Sequence, residues 1–488
     1  MSQVTLYQDS DYRGTSRSFG VGRYNYPGIS NDSLSSIRVP AGLKVILFEH
    51  GNFGGNRCVL VQDTPNMAGA NDKISSFVVE ELRTPQVIIY SDSDYRGWSV
   101  ELPVGSYSGL GIGNDRLSSI IVPAGYRVTL YEDGPFKGRS LELNSSRANL
   151  GDFNDRATSA IVDNLPQRAP TLDELKQIIG KVGPLILFHP DDPFRPSSVE
   201  YFLNNATLVA KNGLVRPAAS EPLPSGGGDD GEYWLVGNSS GKNGNLASAV
   251  SYVNAKFQNN WLDLQFWIFY PHNGGGALKV KVVLGSGVAS STVLNETMDL
   301  TPMGQHGGDW EHVTVRVDPV RQEVRALYLA QHDGGKWLSL GDIAFNNGGP
   351  IVYASKHGHA SYRDEGDNLS NGYSDDWTVA SVEGGLVNSC TGSLQVLDCK
   401  ASGKTQILRA DFLSAGITLP SWMSFARRWG PRVDYSSNEL KDKIARWVGS
   451  IPYSGEVVNA IWNALPDEMK YENGPTGPWC KSAWSGSE

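Results

Sequence analysis

Four cysteines in 488 residues are too few for a disulfide scaffold, and none has the CxxC spacing of a zinc site. Cys58 falls in a strand-like segment and reads as a small buried side chain. Cys390 and Cys399 flank eight residues and would close a hairpin in an oxidising compartment, a point the sequence leaves open. No apolar run approaches the roughly 20 residues of a membrane-spanning helix. Positive charge is also short. The 42 Lys and Arg against 52 Asp and Glu leave a net charge of −10, which argues against a nucleic-acid partner and favours cations. The chain opens MSQVTLYQ, straight into a strand pattern, with no basic-then-apolar leader. An extracellular location is the favoured expectation, a cytoplasmic one stays open, and the oligomeric state is not readable. What remains is a globular composition, 40% hydrophobic and 19% charged, with length for about three domains.

The most informative feature present is a phrase repeated four times: NDSLSS at 31–36, NDKISS at 71–76, NDRLSS at 114–119 and NDRATS at 154–159. A second phrase keeps step with it: YQDSDYRG from Tyr7, FEHGNFGG from Phe48, YSDSDYRG from Tyr90 and YEDGPFKG from Tyr131. A period near forty residues means one supersecondary unit copied four times. Period-two alternation, as in Leu43–Phe48, broken by Gly, Pro, Asn and Asp, reads as β-hairpins. An aromatic pair brackets each turn, and Gly14, Gly55, Gly97 and Gly138 end it, which calls for a positive φ at the glycine. The PAG turns at Pro40–Gly42 and Pro123–Gly125 group the copies into two pairs.

On these residues the chain resembles two βγ-crystallin domains, each of two Greek keys, over 1–82 and 83–163. The resemblance implies calcium, with up to four sites, and the side-chain candidates carried over are Asp32 and Ser35, Asp72 and Ser75, Asp115 and Ser118, and Asp155 and Thr158. The residue chemistry agrees, because calcium takes six to eight hard oxygens and accepts carboxylate, hydroxyl and carbonyl together. Asn-Asp followed by Ser-Ser is also ordinary turn chemistry, but four copies in phase weigh against turns alone.

Residues 164–170, NLPQRAP, form a proline-bounded linker, and Thr171 with Glu174 opens a helix as a capping box. Beyond it the composition changes: seven of the eight histidines and twelve of the thirteen tryptophans lie past residue 170. Strand patterns at Leu262–Tyr270, Trp310–Val317, Val324–Ala330 and Ile351–Ala354 predict a β-sandwich over 171–488. Helical patterns follow around Trp422–Trp429, Glu439–Trp447 and Glu456–Leu465. The whole chain is therefore expected to be mainly β, with peripheral and C-terminal helices. The glycine-rich segments SGGGDDGEYW (225–234) and HNGGGALK (272–279) lack phosphate-cradle spacing and read as flexible loops.

The chemistry of this half concentrates in HGGDWEHVTVRVD (306–318), QHDGG (331–335) and SKHGHASY (355–362). On a strand Asp309 and Glu311 share a face, His306 can curl back over them, and His312 points the other way. His357 and His359, two apart, would bring imidazoles to the same side. Such an N/O set suits a divalent cation, Mg, Mn, Zn, Fe or Ca, at His306, Asp309 and Glu311. His357, His359 and His312 are then the candidate acid–base residues. HPDDPFRPSSVEYFL, GDWEHVTVRVD, QHDGG and VYASKHGHASY resemble the family of vacuolar-protein-sorting-sixty-two-related proteins. More remotely, His306-x-x-Asp309-Trp-Glu311 resembles the metal-binding heptapeptide of necrosis- and ethylene-inducing-peptide-like cytolysins, with His357 or His359 as the distant histidine; Gly308 and Gln305 depart from that pattern. The reading that results is a calcium-binding module fused to a metal-dependent, toxin-like effector acting on a membrane glycolipid or glycan, with Tyr233-Trp234 and Trp422 as candidate sugar-stacking rings. A metal-dependent hydrolase and a structural or stress protein are the alternatives.

Overall fold

The structure is a computed structural model describing residues 2–28, 32–285, 290–331, 334–377, 380–434, 437–465 and 471–485. Asn31 of the first repeated phrase, and His332 and Asp333 of QHDGG, lie outside the described residues. The chain divides into two compact units, Met1–Arg168 with Ser339–Asp342, and Ala169–Leu338 with Ile343–Glu488.

In the first unit the repeats pair as expected, and strand exchange shows why they need each other. The short strand Gly22–Tyr24 of the first repeat pairs with Ser76–Glu81 of the second, and Gly105–Tyr107 of the third pairs with Ser159–Asn164 of the fourth. Each pair thus closes into a three-stranded and a four-stranded sheet around a hydrophobic core, and Ile88 and Tyr90 of the third repeat reach into the core of the first pair. A single copy would leave a sheet edge open and a hydrophobic face wet. The aromatic pairs Tyr7–Tyr12, Phe48–Phe53, Tyr90–Tyr95 and Tyr131–Phe136 all meet edge-to-face at 5.8–6.0 Å. The glycine ending each turn lies at φ 73–76°, as that turn demands.

The second unit is built on a six-stranded sheet whose central strands are Trp261–Asn273 and His306–Asp318. Every residue of Trp261–Asn273 is buried, because the sheet is covered on both faces. On one face Leu264, Phe266, Ile268, Val313 and Val315 pack against the helix Leu172–Val182 and the strands Leu185–Phe188 and Gly349–Ala354. On the other, Trp267, Phe269 and Trp310 join Trp422, Phe425 and Trp429. A separate four-stranded sheet carries Ser437–Val448 and Ser454–Ala464, the two C-terminal helices expected. Thr171 caps its helix with a full capping box.

Several expectations are corrected. Trp422–Trp429 is not a helix: only Ser421–Ser424 turns, as 3-10, and the three aromatics of the segment fill the core instead. Burial of such rings outweighs a local helical preference. Trp422 is therefore a core residue and not a sugar platform. The 225–234 loop is held down: Arg427 binds Asp230 and the carbonyls of Pro224, Ser225 and Gly226, and Arg428 binds Asp229. Cys390 and Cys399 are both free and buried. Among the described residues no helix is long and apolar enough to cross a membrane.

Candidate functional site

The repeated phrase splits into two jobs. Its last serine fastens the aromatic turn. Ser36 Oγ donates to Asp9 O at 2.6 Å and accepts from Tyr12 N at 3.0 Å. Ser76, Ser119 and Ser159 do the same in the other repeats. These serines are fully buried, so the pattern is structural.

The preceding Ser or Thr is paired crosswise with the aspartate of the partner repeat. Ser35 Oγ meets Asp72 Oδ1 at 3.0 Å and Ser75 Oγ meets Asp32 Oδ1 at 3.1 Å. In the second domain Ser118 Oγ meets Asp155 Oδ1 at 3.0 Å and Thr158 Oγ1 meets Asp115 Oδ1 at 3.2 Å. The candidates are thus brought together, but each aspartate with the hydroxyl of the other repeat, not of its own phrase. All four aspartates sit at φ 51–55°, a left-handed conformation that aspartate tolerates better than most residues. The donor types suit calcium: one carboxylate and one hydroxyl per pair, both hard oxygens.

In the second unit the cluster forms around a different residue than the spacing indicated. His359 is 2% exposed. Its Nδ1 lies 2.9 Å from Asp309 Oδ2, its Nε2 lies 3.4 Å from Asp192 Oδ2, and the Tyr270 ring stacks on it at 3.8 Å. The register explains Tyr270 and Asp309: they are direct partners across Trp261–Asn273 and His306–Asp318, hence on one sheet face. Asp192, from the HPDDP turn, was not foreseen. An Asp-Asp pair between two prolines was the available signal, but turn chemistry accounts for it equally well. Asp192 also accepts the main-chain N–H of Phe194 and of His357, each at 2.9 Å.

These contacts set the charges. Burial works against ionising His359, but the two carboxylates outweigh it and lift the imidazole to about 9. Burial likewise pushes Asp192 up, and His359 with the two N–H donors brings it down to about 2. Asp309 is lowered as well, His359 outweighing burial. Glu311, half-buried on the same face, is pushed up to about 8 by burial and by the charge of Asp309. His306 is lowered by burial; its Nδ1 sits 2.6 Å from Gly308 O, so that nitrogen carries the proton.

The residues therefore converge, but not as a metal cage: among the described residues no three His, Cys, Asp or Glu side chains are placed to hold an ion. His306 pairs with Asn273 at the strand's start, and its ring turns to Gly308 O within reach of the Asp309 charge, without completing a cage with Asp309 and Glu311. Gly307 and Gly308 serve the fold, since a Cβ on Gly308 would lie 2.7 Å from Trp429 Cβ. His312 stacks on Trp267 at 4.3 Å, on the opposite face from Asp309, and takes no part in the cluster. His359, a candidate acid–base group, has both ring nitrogens against carboxylates and serves as the cluster's buried cation. His357 stands apart and lines a cavity with His189, Asp299 and Lys356.

Comparison with known proteins divides the chain the same way. The sequence profile of the family described as vacuolar protein sorting-associated protein 62 (Vps62) matches residues 153–488. The protein of that name from Saccharomyces cerevisiae is 30% identical over 155 residues, which are 28% of this chain and 28% of the yeast protein. Development-specific protein S from Myxococcus xanthus is 29% identical over 170 residues, 33% of this chain and 98% of that relative. A solved βγ-crystallin domain from Clostridium beijerinckii is 36% identical and covers 16% of this chain and 97% of its own length, with a TM-score of 0.16. The first third thus matches βγ-crystallin domains, a calcium-binding family, fused to the Vps62-like region.

Proposed function

The chain belongs to the vacuolar protein sorting-associated protein 62 (Vps62) family, and from that premise we propose that it is a calcium-stabilised effector acting by binding, its larger domain engaging a glycan or glycolipid surface. The observation that supports calcium is the crosswise pairing of Asp32 with Ser75, Asp72 with Ser35, Asp115 with Thr158 and Asp155 with Ser118. These residues would hold up to four ions, and each ion would tie together two repeats far apart in sequence. One carboxylate per site implies weak affinity, about 10⁻⁴–10⁻³ M or somewhat tighter. Such affinities suit an extracellular setting, where calcium stabilises and does not signal.

In the larger domain, the state of His359 favours binding over hydrolysis. A general base needs a free lone pair within reach of a substrate proton. His359 is 2% exposed, with Asp309 2.9 Å from Nδ1, Asp192 3.4 Å from Nε2 and the Tyr270 ring stacked on one face, so it offers no solvent-facing lone pair to a substrate. The metal-dependent version of the effector reading is dropped with it.

Calorimetric titration of the full chain with calcium tests the first part. The expected result is heat of binding together with a raised melting transition; no binding at millimolar calcium sinks it. A glycan array and vesicles with and without neutral glycolipid test the second. Retention on at least one glycan is expected, and retention on none overturns the surface reading.

A further inference from the structure

We propose that the cavity of about 370 Å³ lined by His189, the Gly275-Gly276 backbone, Asp299, Lys356 and His357 binds one neutral, hydroxyl-rich sugar residue. The inference rests on the surface-binding reading and gives it a site.

His189 is 8% exposed, and its Nδ1 accepts from Asp191 N at 3.1 Å. A nitrogen that accepts carries no proton, so the neutral ring presents Nε2–H as a donor of fixed tautomer. Burial, then the charge of Lys356, lowers this histidine and keeps it neutral. His357 is held by its backbone. Its N–H donates to Asp192, its C=O accepts from Gly274 N at 3.2 Å, and its φ is 67°. Histidine tolerates this left-handed conformation better than most residues, so the two backbone hydrogen bonds fix where the ring starts. The ring lies against Gly274, where an added Cβ would come within 2.4 Å of Nδ1, a buried nitrogen without a hydrogen-bond partner. His357 is thus tied through its backbone to Asp192 of the buried cluster, while its ring lines the cavity.

The lining sets the ligand class. Lys356 and the His189 N–H donate, while Asp299 and Asp367 accept. With the imidazoles neutral, one lysine against two aspartates, with Lys443 acting on Asp299 from outside, leaves no net positive charge to hold phosphate, sulfate or carboxylate. A sugar hydroxyl both donates and accepts, and so satisfies such a mixed set. The volume is at the low end of the roughly 300–1,000 Å³ that holds small ligands, which suits one terminal residue and not an extended chain. The lining offers no Trp, Tyr or Phe platform, so millimolar affinity is expected.

The experiment is ligand-observed NMR on the full chain in calcium. Neutral monosaccharides (glucose, galactose, mannose, N-acetylglucosamine) are compared with inorganic phosphate, and the glycan array is run in parallel. At least one sugar is expected to bind, phosphate is not, and Gly274→Ala, which pushes the His357 ring aside, should weaken binding about tenfold or more. Lys356→Ala removes a donor without touching the backbone and should act in the same direction with an unchanged melting temperature. Phosphate binding in place of sugar overturns the ligand class. Sugar binding that both variants leave intact overturns the cavity while sparing the surface reading, and silence on array and NMR alike overturns both.

Discussion

Asp32 and Ser75, 43 residues apart, meet at 3.1 Å through Oδ1 and Oγ, and Asp72 and Ser35 reciprocate at 3.0 Å. The two repeats of a domain are therefore clasped at two symmetric points. If each clasp is one ion site, its members act as a unit. Asp72→Ala and Ser35→Ala should each remove or weaken the same calcium ion, and the double variant should bind no fewer ions than Asp72→Ala alone. Calorimetric stoichiometry reads this directly, and additive loss of two ions would refute the crosswise assignment.

The adjacent serine should behave oppositely. Ser36 bridges Asp9 O and Tyr12 N in a fully buried position. Ser36→Ala leaves both groups unsatisfied, at a cost of about 1–3 kcal/mol. Ser35→Ala should cost little without calcium and lose part of the calcium-induced gain. Melting the two variants with and without calcium separates a turn fastener from an ion ligand one residue away.

That contrast shows what the sequence could carry. Four in-phase copies of one phrase made hairpins, pairing and calcium candidates legible, because a repeat constrains fold and chemistry together. That the paired copy completes each site follows from the resemblance and from the pairing of the repeats; which hydroxyl meets which aspartate did not, since spacing within a phrase does not fix it. In the larger domain the strand reading placed Asp309 and Glu311 on one face and His312 on the other, as the register of His306–Asp318 has it. It missed Asp192 because the HPDDP turn reaches His359 from 167 positions away in the chain, a contact that only the packing of the two layers creates. The expected helix at Trp422–Trp429 failed for the same reason: tertiary burial of Trp422, Phe425 and Trp429 decided it.

Removing the central cation should be costly. His359→Leu strips both Asp192 and Asp309 of their buried partner, and breaking a buried ion pair in this way typically costs about 3–5 kcal/mol. Trp98 is the only tryptophan before residue 170, so tryptophan fluorescence during urea unfolding reports mainly on the larger unit. The expected outcome is a lower midpoint there, with calcium binding to the crystallin pair retained. Restoring partial stability with Asp192→Asn in the His359→Leu background would confirm that stranded charge, and not lost volume, carries the penalty.

The same cluster predicts a pH dependence with a definite sign. His359 titrates at about 9 in the fold against 6.5 for a free imidazole. A raised basic group stabilises fully below its unfolded value and loses that contribution as pH climbs through the folded one. Glu311, at about 8 against 4.5, acts in the same sense, because its neutral form is the one the half-buried site prefers. Asp192, at about 2 against 3.8, acts oppositely and withdraws its support only below about pH 4. His272, held at about 4 by burial, and His189, His306 and His357, also lowered by burial, add stability as pH rises to about 6.5. The larger unit should therefore be most stable at about pH 6.5 and lose stability from there to about pH 9. Urea midpoints followed by tryptophan fluorescence at constant calcium test the slope. In His359→Leu the imidazole part of it disappears, and a wild-type profile rising toward pH 9 would show that His359 is not held as a cation between its two aspartates.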